Sequence, residues 1–245
     1  MHPGLEPRSL PLDTAVGVIR ESGSLAIFYH FPSCRTLSEI EQGADLLTPG
    51  APSVLSIIDL LSRLPEQRRY ILVANTCRAE TSRDAVEMIE TECQIFKHLK
   101  HIPEQTSPIV KLEVLGPDLR SVNKEVVDAT EKLVSRGLTV IPMISPDLSA
   151  MKLCIELGVP AIRFLTGQIR STNGIEELDV VRYLVKKSKV PVIFEGGIRT
   201  PYHIREAFRC GASAVLMNTA FHESEDPINL ARVVRRTIDS IRNGE

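Results

Sequence analysis

The sequence predicts a single (β/α)8 (TIM) barrel with an atypical or missing first strand, on three observations. Short apolar runs alternate with longer segments of helical spacing, the pattern of repeated βα units that build a parallel sheet covered by helices. The chain has 245 residues, close to the ~250 typical of a closed barrel. No Pro/Gly/Ser-rich linker, repeat or low-complexity run divides it, so residues 1–245 read as one domain.

The Pro-rich first dozen residues precede a helix expected around 13–22. Strands follow at "LAIFYH" (25–30), "YILVA" (70–74), "PIVKLEV" (108–114), "LTVIPM" (138–143), "PAIRFL" (160–165), "VPVIFE" (190–195) and "SAVLMN" (213–218). Between and after them the spacing predicts helices over 53–63, 82–99, 122–136, 147–157, 176–187, 201–210 and 227–242. "SPDLSAMKLCIELGVPAI" shows the punctuation: Ser145 can start a helix, Gly158 follows its end and Pro160 opens the next strand. Seven strands are legible in this way. An eighth must come from the first dozen residues, so strand one is short, irregular or replaced; on the count alone an open flavodoxin-like sheet also stands.

Composition narrows the function. With 43% hydrophobic residues the core is ample, and 29 basic against 31 acidic residues leave a net charge of -2, too balanced for a nucleic-acid or membrane binder. A small-molecule partner is expected. The start "MHPGLEPRSLPLD" has no apolar core of a signal peptide and no run is long enough to span a bilayer, which points to the cytoplasm. Cys34, Cys77, Cys93, Cys154 and Cys210 are scattered and form no CxxC pair, against a disulfide framework or zinc site. No His/Asp/Glu cluster has metal-ligand spacing, and "EGGIR" is not a dinucleotide fingerprint, so neither metal nor cofactor is expected.

Chemistry gathers where barrel strands end. In "SPIVKLEVLGPD" (107–118), Val110, Leu112 and Val114 alternate with Lys111 and Glu113, so the two charged residues share one strand face. One reading is a buried structural ion pair. The other is a nucleophile: a lysine in a dry barrel mouth, once neutral, can attack a carbonyl and form an imine. A second site is "VPVIFEGGIRTPYHI" (190–204), where Glu195 ends a strand, Gly196 and Gly197 follow, and Thr200 and Pro201 suit a helix start. A third is "GASAVLMNTAFH" (211–222), with Asn218 and Thr219 past the next strand. Together these match the phosphate cradle of the last two barrel strands. Glycines that serve only a tight turn are the simpler alternative.

"VKLEVLGPD", "VPVIFEGGIRTP", "GASAVLMNTAF" and "DPINLARVVRR" together resemble the bacterial thiazole synthase family, and "ILVANTCRAETSRDAVEMI" (71–89) fits its Asn-Thr strand end followed by a helix. The similarity runs from about residue 12 to the carboxyl terminus and is most specific over 107–235. The resemblance implies a (β/α)8 barrel that takes sulfur from the thiocarboxylate on the Gly-Gly tail of a sulfur-carrier protein. It installs that sulfur in a phosphorylated ketose held as a lysine imine. Carried over by position, Lys111 matches the imine lysine and Glu113 an acid/base carboxylate. Glu195 stands where the family has a catalytic aspartate, Gly196-Gly197 where it has an Ala-Gly phosphate contact, and Asn218-Thr219 where it has Asn-Thr. Asn75 falls at the Asn-Thr strand end.

Three departures matter. The family carries a glycine-rich substrate loop where this chain reads "TGQIRSTNGIEE" (166–177), with Thr166 and Arg170 at glycine positions. Arg170 either clamps phosphate and sugar hydroxyls or points to solvent. Glu195 adds a methylene to the family's aspartate. The first strand, with its loop, is missing. A thiosugar made from a hexose phosphate and the thiazole phosphate of thiamin both remain as products, with Arg170 tilting toward the hydroxyl-rich sugar. A Schiff-base aldolase and a non-catalytic barrel scaffold are the rivals. The last helix covers the barrel or makes a homo-oligomer contact.

Overall fold

In a computed structural model, residues 10–23, 26–29, 63, 71–76, 79–98 and 109–244 are described. The first nine residues, His30, Cys34, Cys77 and all but the last residue of the expected 53–63 helix lie outside them, and Leu10 and Pro11 belong to no strand.

Among the described residues, seven parallel strands in sequential order form one sheet: β1 (Ala26–Tyr29), β2 (Ile71–Asn75), β3 (Ile109–Leu112), β4 (Thr139–Ile144), β5 (Ile162–Leu165), β6 (Val192–Glu195) and β7 (Ala214–Leu216). Each pairs in register with the next: Asn75 lies level with Lys111, Lys111 with Ile141, Met143 with Arg163, and Leu165 with Glu195. The helices are α1 (Leu12–Ser22), α2 (Ser82–His98), α3 (Asn123–Val134), α4 (Leu148–Glu156), α5 (Leu178–Lys187), α6 (Pro201–Arg209), α7 (Thr219–His222) and α8 (Pro227–Arg242). All seven strands read from the sequence are present, and the alternation with helices is that of a (β/α)8-type barrel.

β3, β4 and β5 bury residues on both faces, for different reasons. Val110, Leu112 and Val114 of the third strand, Ile162 and Phe164 of β5, and Val192 and Phe194 of β6 pack with Ala129 and Leu133 of α3, Leu184 of α5 and Ile204 of α6 in one apolar core. The alternate residues point the other way, as a period of two requires. There Leu115, Met143 and Leu165 make a small second cluster, and the charged residues of the site stand beside it.

The two ends of the chain meet through α1 and α8. Gly17 lets them approach, since a Cβ there would fall on the Ile228 side chain, and Glu21 pairs with Arg232 at 2.9 Å. This contact brings the first and last of the described helices together.

Two local expectations change. Asp147, not Ser145, caps α4: its carboxylate accepts from the Ala150 N–H, while Ser145 exchanges backbone hydrogen bonds with the Asn123 amide. An aspartate one residue before the helix outcompetes the serine because it reaches the exposed N–H groups of the first turn directly. The last strand stops at Leu216, and Asn218 begins the short α7 instead of ending the strand. Thr200 and Pro201 behave as read, with the Thr200 hydroxyl accepting from the His203 N–H.

Candidate active site

β3 presents Lys111 and, one step past its end, Glu113 to the same side. Both are nearly enclosed, at 6% and 4% exposure, and their side chains form an ion pair. Glu113 has left the strand ladder, and Thr76, at the end of β2, takes the ladder's place. The Thr76 hydroxyl accepts from the Glu113 N–H at 2.7 Å and donates to the Glu113 carbonyl at 2.8 Å. One buried hydroxyl therefore fixes the backbone that carries the carboxylate.

Glu195, at the tip of β6, brings a second carboxylate to Lys111, 3.3 Å from the ammonium. Its side chain keeps 15% of its surface exposed, so it is the acid with the most access to an incoming molecule. The fourth member is Arg163 on β5, only 1% exposed. Its guanidinium bonds Glu113 at 2.9 Å and also contacts Glu195. It reaches over β4 to donate to the Ile141 carbonyl at 3.3 Å and the Leu112 carbonyl at 2.7 Å.

Among the described residues, two cations and two carboxylates thus share one low-dielectric space and balance one another, which is how buried ions become tolerable. Burial pushes the Glu195 carboxyl up, but the adjacent Arg163 and Lys111 charges and their hydrogen bonds outweigh it and hold it below its ordinary value. For Arg163 burial lowers the pKa against the opposing pull of Glu195. A guanidinium nonetheless stays charged at neutral pH. The arrangement can hold a lysine beside two proton acceptors, one of them partly open.

The remaining sequence-predicted residues surround this core. Asn75 is level with Lys111 on the neighbouring strand, and its side-chain oxygen is buried with no hydrogen-bond partner among the described residues. Its own N–H donates to the buried Glu92 of α2. Thr166, 2% exposed, is committed to bracing: its N–H and hydroxyl both donate to the Glu195 carbonyl, at 2.7 and 3.1 Å. Gly196 and Gly197 both have left-handed backbones, and a Cβ on either would fall on the carbonyl of Gly167 or Gly174. Their first job is therefore to let the 166–177 loop lie directly on the end of β6. Asn218 is exposed and Thr219 half-buried, where α7 starts. By the β6–β7 register, in which Glu195 faces Leu216, Asn218 stands two residues beyond that level, as Gly197 does.

Arg170 has a left-handed backbone although it carries a side chain. Its φ is 70°, a region suited to glycine, and its carbonyl accepts from the Arg199 guanidinium at 2.9 Å. Arg199 also bonds the Ser171 carbonyl and pairs with Glu223, so it staples the loop to the segment after α7. His203 accepts from the Arg199 N–H through Nδ1 and packs beside Gly174, so it supports the loop. The described cysteines are packed thiols: burial pushes Cys154 up to about 11 and raises Cys210 as well.

Arg163 and Thr76 were not singled out from the sequence. Arg163 carries the same signal as Lys111, a charge alternating with apolar residues in "AIRFL", and could have been found by applying that rule to every strand. Thr76 has no such signal, since its role depends on where β3 ends.

Among the described residues no helix is long and apolar enough to cross a membrane, and no group of three or more His, Cys, Asp or Glu could hold a metal ion.

The fold and the chain have clear relatives. Residues 55–244 match the family model described as thiazole biosynthesis protein ThiG. A thiazole synthase of Clostridium perfringens is 31% identical over 75% of this chain and 69% of its own, and one of Cyanidium caldarium is 31% identical over 83% and 80%. Among solved structures, the Amycolatopsis orientalis BexX/CysO complex superposes with a TM-score of 0.77 at 25% identity, over 98% of this chain and 89% of that one. A thiamine phosphate pyrophosphorylase of Pyrococcus furiosus, at 14% identity and TM-score 0.56 over 95% of this chain and 91% of its own, shares the fold alone. With the family model covering more than half of the chain, and relatives above 30% identity over most of both lengths, the protein belongs to the thiazole synthase family.

Proposed function

We propose that this chain binds a phosphorylated sugar as an imine on Lys111 and inserts sulfur delivered as the C-terminal Gly-Gly thiocarboxylate of a sulfur-carrier protein. The observation that carries the reading is the placement of Lys111 between Glu113 and Glu195. A lysine used only as a structural counter-ion needs one carboxylate. A lysine that must lose a proton, attack a carbonyl and then support proton transfer at the next carbon uses two acceptors.

Glu113 or Glu195 takes the ammonium proton, the freed amine adds to the sugar carbonyl, and water leaves to give the iminium. That cation withdraws electrons from the adjacent carbon, so a carboxylate removes its proton and returns it elsewhere, moving the carbonyl along the chain. The thiocarboxylate sulfur then adds to the new carbonyl carbon, the carrier's acyl group passes from sulfur to the oxygen so formed, and that oxygen leaves with it as the carrier carboxylate, so the sulfur stays on the sugar. Glu195 is the better placed for the second transfer because it is the more exposed of the two acids. Gly196, Gly197, Asn218 and Thr219 would hold the phosphate, with Asn75 turned to a sugar hydroxyl. The solved BexX/CysO complex supports a second component at this type of barrel.

The loop favours a thiosugar made from a hexose phosphate over the thiazole phosphate of thiamin. Arg170 brings a multidentate donor into the loop that rests on Gly196 and Gly197, on a left-handed backbone of its own. The test is sulfur incorporation from a carrier thiocarboxylate with glucose 6-phosphate and with 1-deoxy-D-xylulose 5-phosphate as separate acceptors. A hexose product carrying sulfur supports the reading; turnover of deoxyxylulose phosphate alone makes the chain a thiazole-forming enzyme. Sugar cleavage without any carrier would make it an aldolase.

A further inference from the structure

We infer that Arg163 is the positioning residue of this site, a fixed cation that clamps Glu113 and Glu195 together and balances them while Lys111 changes its charge. The clamp is read from geometry. One guanidinium nitrogen touches both carboxylates, and the other two donate to main-chain carbonyls of two different strands. With its donors spent on backbone and acids, the side chain has little freedom left, and its planar fork sets where the acids lie.

The charge count gives the clamp its purpose. Among the described residues, the charged and polar groups facing it are Lys111, Glu113 and the Leu112 carbonyl from β3 and its extension and Glu195 from β6, with Asn75 of β2 beside Lys111; β4 offers the Ile141 carbonyl and the apolar Met143. Glu92 of α2 bonds the Asn75 backbone. Lys111 alone would face two carboxylates, and in a buried space one of them would take up a proton. Arg163 supplies the missing positive charge.

When the ammonium hands a proton to a carboxylate, the space stays neutral overall. When the lysine nitrogen bonds to the sugar carbon and the hydroxyl leaves as water with that proton, the iminium and two carboxylates again face one guanidinium. Arg163 is the one cation of the set that does not titrate during this cycle. The cycle rests on the imine reading, whereas the clamp itself does not.

Two measurements separate these. In protein labelled with ¹³C at glutamate carboxyl carbons, assigned with Glu113→Gln and Glu195→Gln, Glu195 should titrate below the ordinary carboxylate range, and it should move upward in Arg163→Met. With the preferred sugar phosphate and carrier, Arg163→Met should lose roughly 100-fold in kcat, with the acidic limb of the profile moved to higher pH and KM changed by less than about threefold. Arg163→Lys, which keeps the charge and loses the fork, should restore the titration and only part of kcat. A folded Arg163→Met protein with unmoved carboxyl titration and limb overturns the inference. If that variant does not fold, a wild-type Glu195 titrating in the ordinary range overturns it instead. A shifted titration without any borohydride-trapped adduct on wild-type Lys111 would keep the clamp and remove the imine.

Discussion

Lys111, Glu113, Arg163 and Glu195 act as one electrostatic unit, and changing any one of them should be felt by the others. Removing a partner from a buried ion set leaves a charge without compensation, at a cost of about 3–5 kcal/mol. Glu195→Gln should therefore lower stability by that order at pH 7. Because the Glu195 carboxyl is held below its ordinary value, its contribution is present above the unfolded carboxylate pKa and is lost as pH falls through the folded one. Urea melts from pH 7 downward should show the wild-type advantage over Glu195→Gln shrinking in the acidic range, with no loss on the alkaline side. Lys111→Ala, by contrast, should abolish turnover. Alternation in one strand revealed Lys111 and Glu113, but the pairing of Arg163 with Glu113, 50 residues away, needs the two inner faces to meet across β4. No local pattern encodes that meeting.

At the scale of elements, strands and caps were largely legible because each is set by neighbouring residues. Thr200 and Pro201 start α6 as their chemistry dictates, and Thr200→Ala should cost about 1 kcal/mol in thermal or chemical melts. Loops were not legible in the same way. The sequence shows glycines at 196 and 197 and suggests an anion, whereas the structure adds that the 166–177 loop rests on them. Gly197→Ala combines a left-handed backbone with a clash against the Gly174 carbonyl, an atom that cannot swing aside as a side chain would. It should destabilise by roughly 2–3 kcal/mol and loosen the loop that Arg199 staples, read as faster proteolysis within 166–177. Thr76→Val removes the hydroxyl that holds the Glu113 backbone, so turnover should fall well before global stability does.

At the scale of the whole molecule, the seven strands among the described residues were legible from periodicity, since each βα unit repeats the same apolar grammar, but their sequential order was not, because the strand count also allowed an open flavodoxin-like sheet. The contact between α1 and α8 was not legible either, because those helices lie more than 200 residues apart and pack through Gly17 and Ile228. The exposed Glu21–Arg232 pair there contributes little. Gly17→Leu would force those helices apart. The barrel matters to function because it brings charged residues from strands separated by tens of positions into one cluster, in which Lys111 is the amine proposed to react. Borohydride reduction after incubation with glucose 6-phosphate or 1-deoxy-D-xylulose 5-phosphate, followed by peptide mass mapping, tests this most directly. The expected result is one sugar phosphate equivalent on the peptide containing Lys111, absent from Lys111→Ala. Unmodified Lys111 with both sugars, or an adduct on a different lysine, would contradict it.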